Sequence, residues 1–249
     1  MQMQLIRNAT VKYQYGGHKF ITDPYLAAKH SRPSFTGKSL NPLTDLPCSP
    51  QEAISGMEMA IISHLHSDHF DPLAQELLPK DTAMICQPED AEPIRKMGFR
   101  EVLPIQERME WRGITILRTS GQHGSGEVLS DMGTVSGFIF KAKGEPLVYW
   151  TGDTIWCEPV AQVIKEVKPE VILTHSCGAV WGKQVLIVMD AAQTVAVCRA
   201  APQSKVAAIH MEALDHATVT RAELRRYAEA QGIGPEQMLI PADGEKVFF

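Results

Sequence analysis

The chain has 249 residues, 44% of them hydrophobic and 21% charged, a balance that builds a globular core and excludes a disordered or low-complexity protein. Its net charge of -5 and the lack of any basic stripe argue against an obligate nucleic-acid binder. No apolar run approaches the ~18 residues of a spanning helix, and "MQMQLIRNAT" lacks the charged start and long apolar stretch of a secretion signal, so no membrane partner and a cytoplasmic setting are expected. The cysteines (Cys48, Cys86, Cys157, Cys177, Cys198) form no CxxC pair, which points to free thiols in a reducing compartment, Cys48 exposed and the others buried.

In chain order, "ATVKYQY" and "HKFIT" around "GG" predict an antiparallel pair running into Asp23-Pro24. Residues 25–52 are rich in proline and small polar residues without periodicity, which predicts a lid or rim loop. "MAIISHL" reads as a short buried strand and "DPLAQELLP" as a helix, with Asp71 as its cap and Pro72 in the first turn. "TAMICQP" is a strand, "PEDAEPIRKMG" a helix, and "REVLPI" and "GITILRTS" strands, the last leading into "GQHGSG". "TVSGFIFKAKGEPLVYWTGD" is strand, turn and strand, ending at Asp153. "PVAQVIKEVKP" carries Val160, Val163, Ile164 and Val167 on one helical stripe. After it come the strand "EVILTHSCG", the helix "MDAAQTVAVCRAAP" and the strand "KVAAIH". "TRAELRRYAEAQG" is a helix with Thr220 and Glu223 placed as a capping box, and "QMLIP" and "EKVFF" close the chain. Short strands interleaved with helices predict a layered α/β protein. A dinucleotide fold is excluded, because no GxGxxG follows the first strand, and no GK[ST] element supports a phosphate loop.

The chemistry concentrates in "HLHSDH", residues 64–69. Imidazole nitrogen and carboxylate oxygen suit zinc, and also manganese or iron. His64 and His66 are two apart, a spacing that puts both on one side of an extended strand, and Asp68 and His69 can turn to the same point from a loop. Three more polar residues follow predicted strands in the same way: His123 after "GITILRTSGQ", Asp153 after "PLVYWTG" and His210 after "KVAAI". Strand ends of this kind meet at the crevice edge of an α/β protein, where sites form.

The motif "HLHSDH" followed by His123, "TGD" at Asp153 and His210 resembles that of the metallo-β-lactamase superfamily across essentially the whole chain. "NATVKYQYGGHKFITDPYL" and "THSCG" look most like its UlaG-like branch, which includes a sugar-phosphate lactonase. The resemblance implies a four-layer αββα sandwich in one domain spanning 1–249. It also implies two divalent metal ions, zinc first and manganese or iron(II) as alternatives. His64, His66 and His123 would hold one ion, Asp68, His69 and His210 the other, and Asp153 would bridge them.

Two such ions lower the pKa of a bridging water and supply hydroxide at neutral pH. The expected activity is therefore hydrolysis of a small ester, lactone or similar molecule, with Asp68 orienting the nucleophile and His216 as a candidate proton donor or alternative ligand. A phosphodiesterase would use the same ions, and a convergent Arg32, Lys38 or Lys183 would favour it. A di-iron redox protein and a non-enzymatic metal-binding module are the alternatives from other classes. The first is disfavoured by His66, where such proteins carry glutamate, and the second by the intact donor set. Ligand histidines usually give their second ring N–H to an acceptor, for which Asp23 and Asp190 are candidates, although Asp190 also suits a helix cap. His175 is placed near the metals but outside the ligand set, and Cys177 lacks the partner base a nucleophile needs. Tyr25, Trp156 and Trp181 are pocket candidates, and Gly121, Gly124 and Gly152 would allow close backbone approach. The partner is a small-molecule substrate, selected by the 25–52 loop, and a homo-oligomer is the family-style expectation.

Overall fold

Alternation along the strands sorts their side chains onto two faces, and here both faces are buried. In the computed structural model, which describes Met1–Phe249, the first six strands are β1 (Gln2–Arg7), β2 (Thr10–Tyr15), β3 (His18–Thr22), β4 (Met59–Ile62), β5 (Ala83–Cys86) and β6 (Val102–Pro104). Next come β7 (Arg108–Trp111), β8 (Ile114–Ser120), β9 (Ser136–Lys141), β10 (Val148–Trp150), β11 (Val171–His175), a small ribbon of β12 (Val180–Trp181) and β13 (Val185–Leu186), β14 (Lys205–Ile209), β15 (Met238–Leu239) and β16 (Lys246–Phe248). The helices are α1 (Pro50–Ile54), α2 (Pro72–Leu77), α3 (Ala91–Lys96), α4 (Val128–Met132), α5 (Glu158–Val167), α6 (Ala191–Ala200) and α7 (Arg221–Ala230).

Two seven-stranded sheets result, ordered β16-β1-β2-β3-β4-β5-β6 and β15-β14-β11-β10-β9-β8-β7. Each is antiparallel over one half and parallel over the other, with the change of direction at β3 and at β10. Met59 and Ile61 of β4, with Ala207 and Ile209 of β14, face the core between the sheets, together with Tyr13, Phe20, Phe140 and Trp150. Their neighbours point the other way. Ala60 and Ile62 meet α1, α2 and α3 on one outer face, and Val206 and Ala208 meet α5, α6 and α7 on the other. The expected four-layer αββα sandwich is therefore the observed fold, and burial on both faces explains the continuous apolar strand runs.

Helix ends follow their capping chemistry. Asp71 accepts from the Leu73 and Ala74 amides at the start of α2, and Thr220 and Glu223 complete the capping box of α7. Five elements escaped the sequence reading, among them α1, whose start the 25–52 loop was expected to cover. Strand β1 opens with Gln and Met rather than branched residues, β7 is a four-residue edge strand, and α4 and the β12–β13 ribbon are too short to show a period. The predicted helix "PEDAEPIRKMG" is shorter than expected, because Pro88–Asp90 form a tight 3₁₀ turn before α3. Residues 25–52 run without regular structure until Pro50, where α1 begins. The cysteine expectations need two changes, since Cys48, expected exposed, and Cys157, expected buried, are both half-buried. No helix is long and apolar enough to cross a membrane.

Candidate metal centre

The carboxyl ends of β3, β4, β8, β10, β11 and β14 meet at one edge of the sandwich. They deliver Asp23, the His64–His69 loop, His123, Asp153, His175 and His210. The turn before Asp153 depends on Gly152, whose φ is +64° and whose Cα packs so tightly on the Ser136 carbonyl that a Cβ would collide with it. His210 leaves β14 in the left-handed region, with φ of 62°, a conformation that costs about 1–3 kcal/mol and turns the ring toward the cluster.

The structure brings all seven expected ligand positions together. The donor atoms of His64, His66 and His123 lie within 4.8 Å of one another, as do those of Asp68, His69 and His210. Asp153 stands between the two groups. Its Oδ2 is 3.2 Å from His69 Nε2 and 3.5 Å from His123 Nε2, and its Oδ1 is 3.5 Å from His210 Nε2. All except His66 are buried.

The surrounding groups decide which ring nitrogen faces inward. Ser63 Oγ gives its one proton to Asp23 Oδ2 at 2.6 Å, so it accepts from His64 Nδ1 at 3.0 Å. His64 Nε2 is then a buried lone pair with no protein partner. His69 Nδ1 donates to Asp23 Oδ2 at 2.7 Å, and His123 Nδ1 to the Ile187 carbonyl at 2.9 Å. Three imidazoles thus turn Nε2 toward the centre. Their second nitrogens are held as in metalloprotein ligands. Asp23 orients His69 as the sequence suggested, whereas Asp190 accepts from Gln193 N and caps α6.

Electrostatics add to this. Burial raises the Asp68 and Asp153 carboxyls, but His69 and His210 outweigh it and hold both well below the usual range. Burial lowers His69 and His210, and the carboxylates reverse that, led by Asp153, and push both well above their ordinary values. His64 is driven well below its ordinary value by burial and by His69, and burial brings His123 down to about 4. The two carboxylates demand positive charge, and a divalent cation meets that demand while leaving the imidazoles neutral. The donor set therefore fits metal ions.

His175 stands beside the donor cluster, as expected, and acts as a buried brace. Trp150 Nε1, which can only donate, binds His175 Nε2 at 2.9 Å, and Nδ1 donates to Asp153 Oδ1 at 2.5 Å. Both nitrogens are used, so this residue has none left for a substrate, although its position with Asp153 and His210 also satisfies ligand distances.

Asp68 and His216 face a cavity of about 210 Å³, floored by His66, His123 and Asp153 and walled by Phe35, Met132, Trp181 and Ile187. His216 is 9% exposed, its Nδ1 has no partner, and burial lowers its pKa. Of the aromatic candidates only Trp181 lines the cavity. Tyr25 is buried under the Arg7 guanidinium, 5.1 Å from the ring centroid, and Trp156 packs on the outer helical layer. Lys38 reaches an adjoining cavity, and neither Arg32 nor Lys183 lines either one. Sequence reasoning missed Trp150, Phe35, Met132 and Asn8. Asn8 Nδ2 donates to the Asp68 carbonyl at 3.0 Å, and its own carbonyl accepts from His210 N at 2.9 Å. None of these residue types carries a metal signal.

A sandwich of two mixed sheets with a His/Asp cluster at one edge is the architecture of the metallo-β-lactamase fold. Residues 18–211 match the family described as the beta-lactamase superfamily domain, and the chain belongs to that family. Over 255 aligned residues it is 35% identical to the UPF0173 protein YddR of Bacillus subtilis (strain 168), covering all of both chains. Among solved structures, an isothiocyanate hydrolase from Delia radicum gut bacteria is 36% identical, with a TM-score of 0.93, covering 100% of this chain and 99% of that one. A possible metal-dependent hydrolase from Veillonella parvula DSM 2008 is 32% identical, with a TM-score of 0.95 and the same coverage. The chain therefore shares its family and fold with an isothiocyanate hydrolase and a possible metal-dependent hydrolase.

Proposed function

We propose that this protein is a hydrolase that holds two divalent cations, zinc by preference, and adds water to a small, uncharged carbon electrophile with an apolar tail. An isothiocyanate is the first substrate to test and a lactone or ester the next. One observation carries the reading: two donor groups flanking Asp153 open onto a cavity with four large apolar walls and no lysine or arginine. A phosphodiester would have only the cations, and no lysine or arginine of the cavity, to meet its negative charge. The likeness to an isothiocyanate hydrolase at 36% identity supports the same substrate class.

The cations, when bound, lower the pKa of water and polarise the electrophile. Asp68 Oδ, on the cavity floor, accepts a proton from the attacking water and holds its lone pair toward the substrate carbon. His216, neutral because burial depresses its pKa, donates a ring N–H hydrogen bond to the substrate, and the proton that Asp68 took from water passes to the substrate atom that gains one. For an isothiocyanate, water oxygen bonds to the central carbon and nitrogen gains a proton, giving a thiocarbamic acid. That acid breaks its C–N bond to leave an amine and carbonyl sulfide.

The test is elemental analysis of protein purified without added metal, followed by turnover of isothiocyanates, lactones, aryl esters and bis-aryl phosphodiesters. About two equivalents of metal, and isothiocyanate or lactone turnover lost in His66→Ala, are expected. Activity on phosphodiesters alone would overturn the substrate class. Absence of metal together with absence of turnover after reconstitution would overturn the reading as a whole.

A further inference from the structure

The loop that walls the cavity has no regular structure apart from a single bridge between Arg32 and Asn41, yet it is firmly tied at one point. The Asp215 carboxylate accepts from Phe35 N at 3.0 Å, Thr36 N at 3.1 Å, Thr36 Oγ1 at 2.6 Å, Ser34 Oγ at 2.5 Å and Asn41 Nδ2 at 3.0 Å. Asn41 Oδ1 in turn accepts from Asp215 N at 2.9 Å. Hydrogen bonds to a charged acceptor are each worth more than neutral ones, and five on one carboxylate leave the loop little freedom. Their common effect is on Phe35, the one apolar side chain among the three consecutive residues held. Its ring meets His216, the residue next to Asp215, edge to face with centroids 4.8 Å apart. Phe35 and Trp181 line both the metal-site cavity and the adjoining one, of about 290 Å³.

We propose that Asp215 is a positioning residue for substrate choice: it locks Ser34–Thr36 so that Phe35 stands as a fixed apolar wall beside His216, and the cavity therefore favours electrophiles with a bulky apolar tail over small ones. The inference rests on the hydrolase reading above and adds the element that sets its selectivity. A carboxylate is required at this position because two of its five donors are backbone amides, which an amide side chain with a single acceptor oxygen cannot serve together with three side-chain donors. A hydrophobic wall discriminates through the tail it touches, and even one methylene packed against such a wall is worth about tenfold or more.

The test compares wild type, Phe35→Ala, Phe35→Leu and Asp215→Asn, each loaded with zinc. Turnover of 2-phenylethyl isothiocyanate and methyl isothiocyanate is measured together with hydrogen exchange at the amides of residues 34–41. In Phe35→Ala the phenylethyl-to-methyl ratio of kcat/KM should fall about tenfold, chiefly through KM, with partial recovery in Phe35→Leu. Asp215→Asn should reproduce that fall and lose amide protection at Phe35 and Thr36. An unchanged ratio in Phe35→Ala would overturn the wall, and an unchanged ratio or retained protection in Asp215→Asn would overturn the latch. If zinc-loaded wild type turns over neither compound, the substrate reading fails and selection of tails fails with it, while exchange still decides the latch.

Discussion

Asp23 lies fully buried and takes three hydrogen bonds, from the Ser63 amide, the Ser63 hydroxyl and His69 Nδ1. Through Ser63 it also fixes the ring of His64, so one carboxylate orients a residue in each donor group. Asp23→Asn removes the charge that favours His69 Nδ1–H and should weaken zinc binding about 10- to 100-fold, with the circular dichroism spectrum preserved. Titration with a zinc chelator of known affinity measures this, and unchanged affinity would remove Asp23 from any role in the site. At this scale the motif residues were legible because their chemistry is local, an HxHxDH run and polar residues following strands. Trp150 and Asn8 were not legible. A tryptophan at the end of an apolar strand signals only packing until the structure sets its Nε1 against His175.

Elements were readable where their period was long enough. The striped α5 and the capping box of α7 stand out because their pattern repeats over ten residues. In the five residues of α4 and the two of β12 no period can develop. Between elements, Gly152→Ala puts a methyl group against the Ser136 carbonyl at a positive φ, and the strand end carrying Asp153 must shift to admit it. A loss of about 2 kcal/mol or more in chemical denaturation is expected. Wild-type stability in this variant would show that the turn can relax. In the 3₁₀ turn before α3, burial pushes the Asp90 carboxyl up to about 6, and its Oδ2 has no partner. Because the folded state prefers the protonated acid, a stabilising contribution present below about pH 4 is lost as pH rises to about 6. Asp90→Asn should therefore add up to about 2 kcal/mol at pH 7.5 and nothing at about pH 4. An equal effect at both pH values would show that ionisation is not the cause.

Across the whole molecule, the two sheets meet through a buried apolar core and, at one edge, through the donor cluster. His64 and Asp23 come from the first sheet, and His123, Asp153 and His210 from the second. Bound cations would join the two sheets directly, so exhaustive chelation should lower Tm by several degrees and zinc should restore it. A Tm indifferent to chelator would mean that no ion is held in the folded protein. A further tie is Arg7, a fully buried side chain at the end of β1 that donates to the carbonyls of Tyr25, Ala27 and Thr44. It fastens the start and the later part of the 25–52 segment to the first sheet. Arg7→Met should leave those carbonyls unpaired and destabilise the protein by about 3 kcal/mol in chemical denaturation. Layer architecture was legible from the alternation of strand and helix, because both follow from burial. The path of residues 25–52 was not, since it is held by Arg7 and Asp215 from opposite parts of the chain, and such long-range polar ties leave no periodic trace.

The division of the donors along the chain also bears on synthesis. On a ribosome, His64, His66 and His123 all emerge well before His210, yet His64 and His123 sit on different sheets, and the core that aligns them includes Ala207 and Ile209. A nascent chain thus displays histidines early without presenting a finished coordination cage. The complete donor set exists only once the strand that ends at His210 has joined the fold.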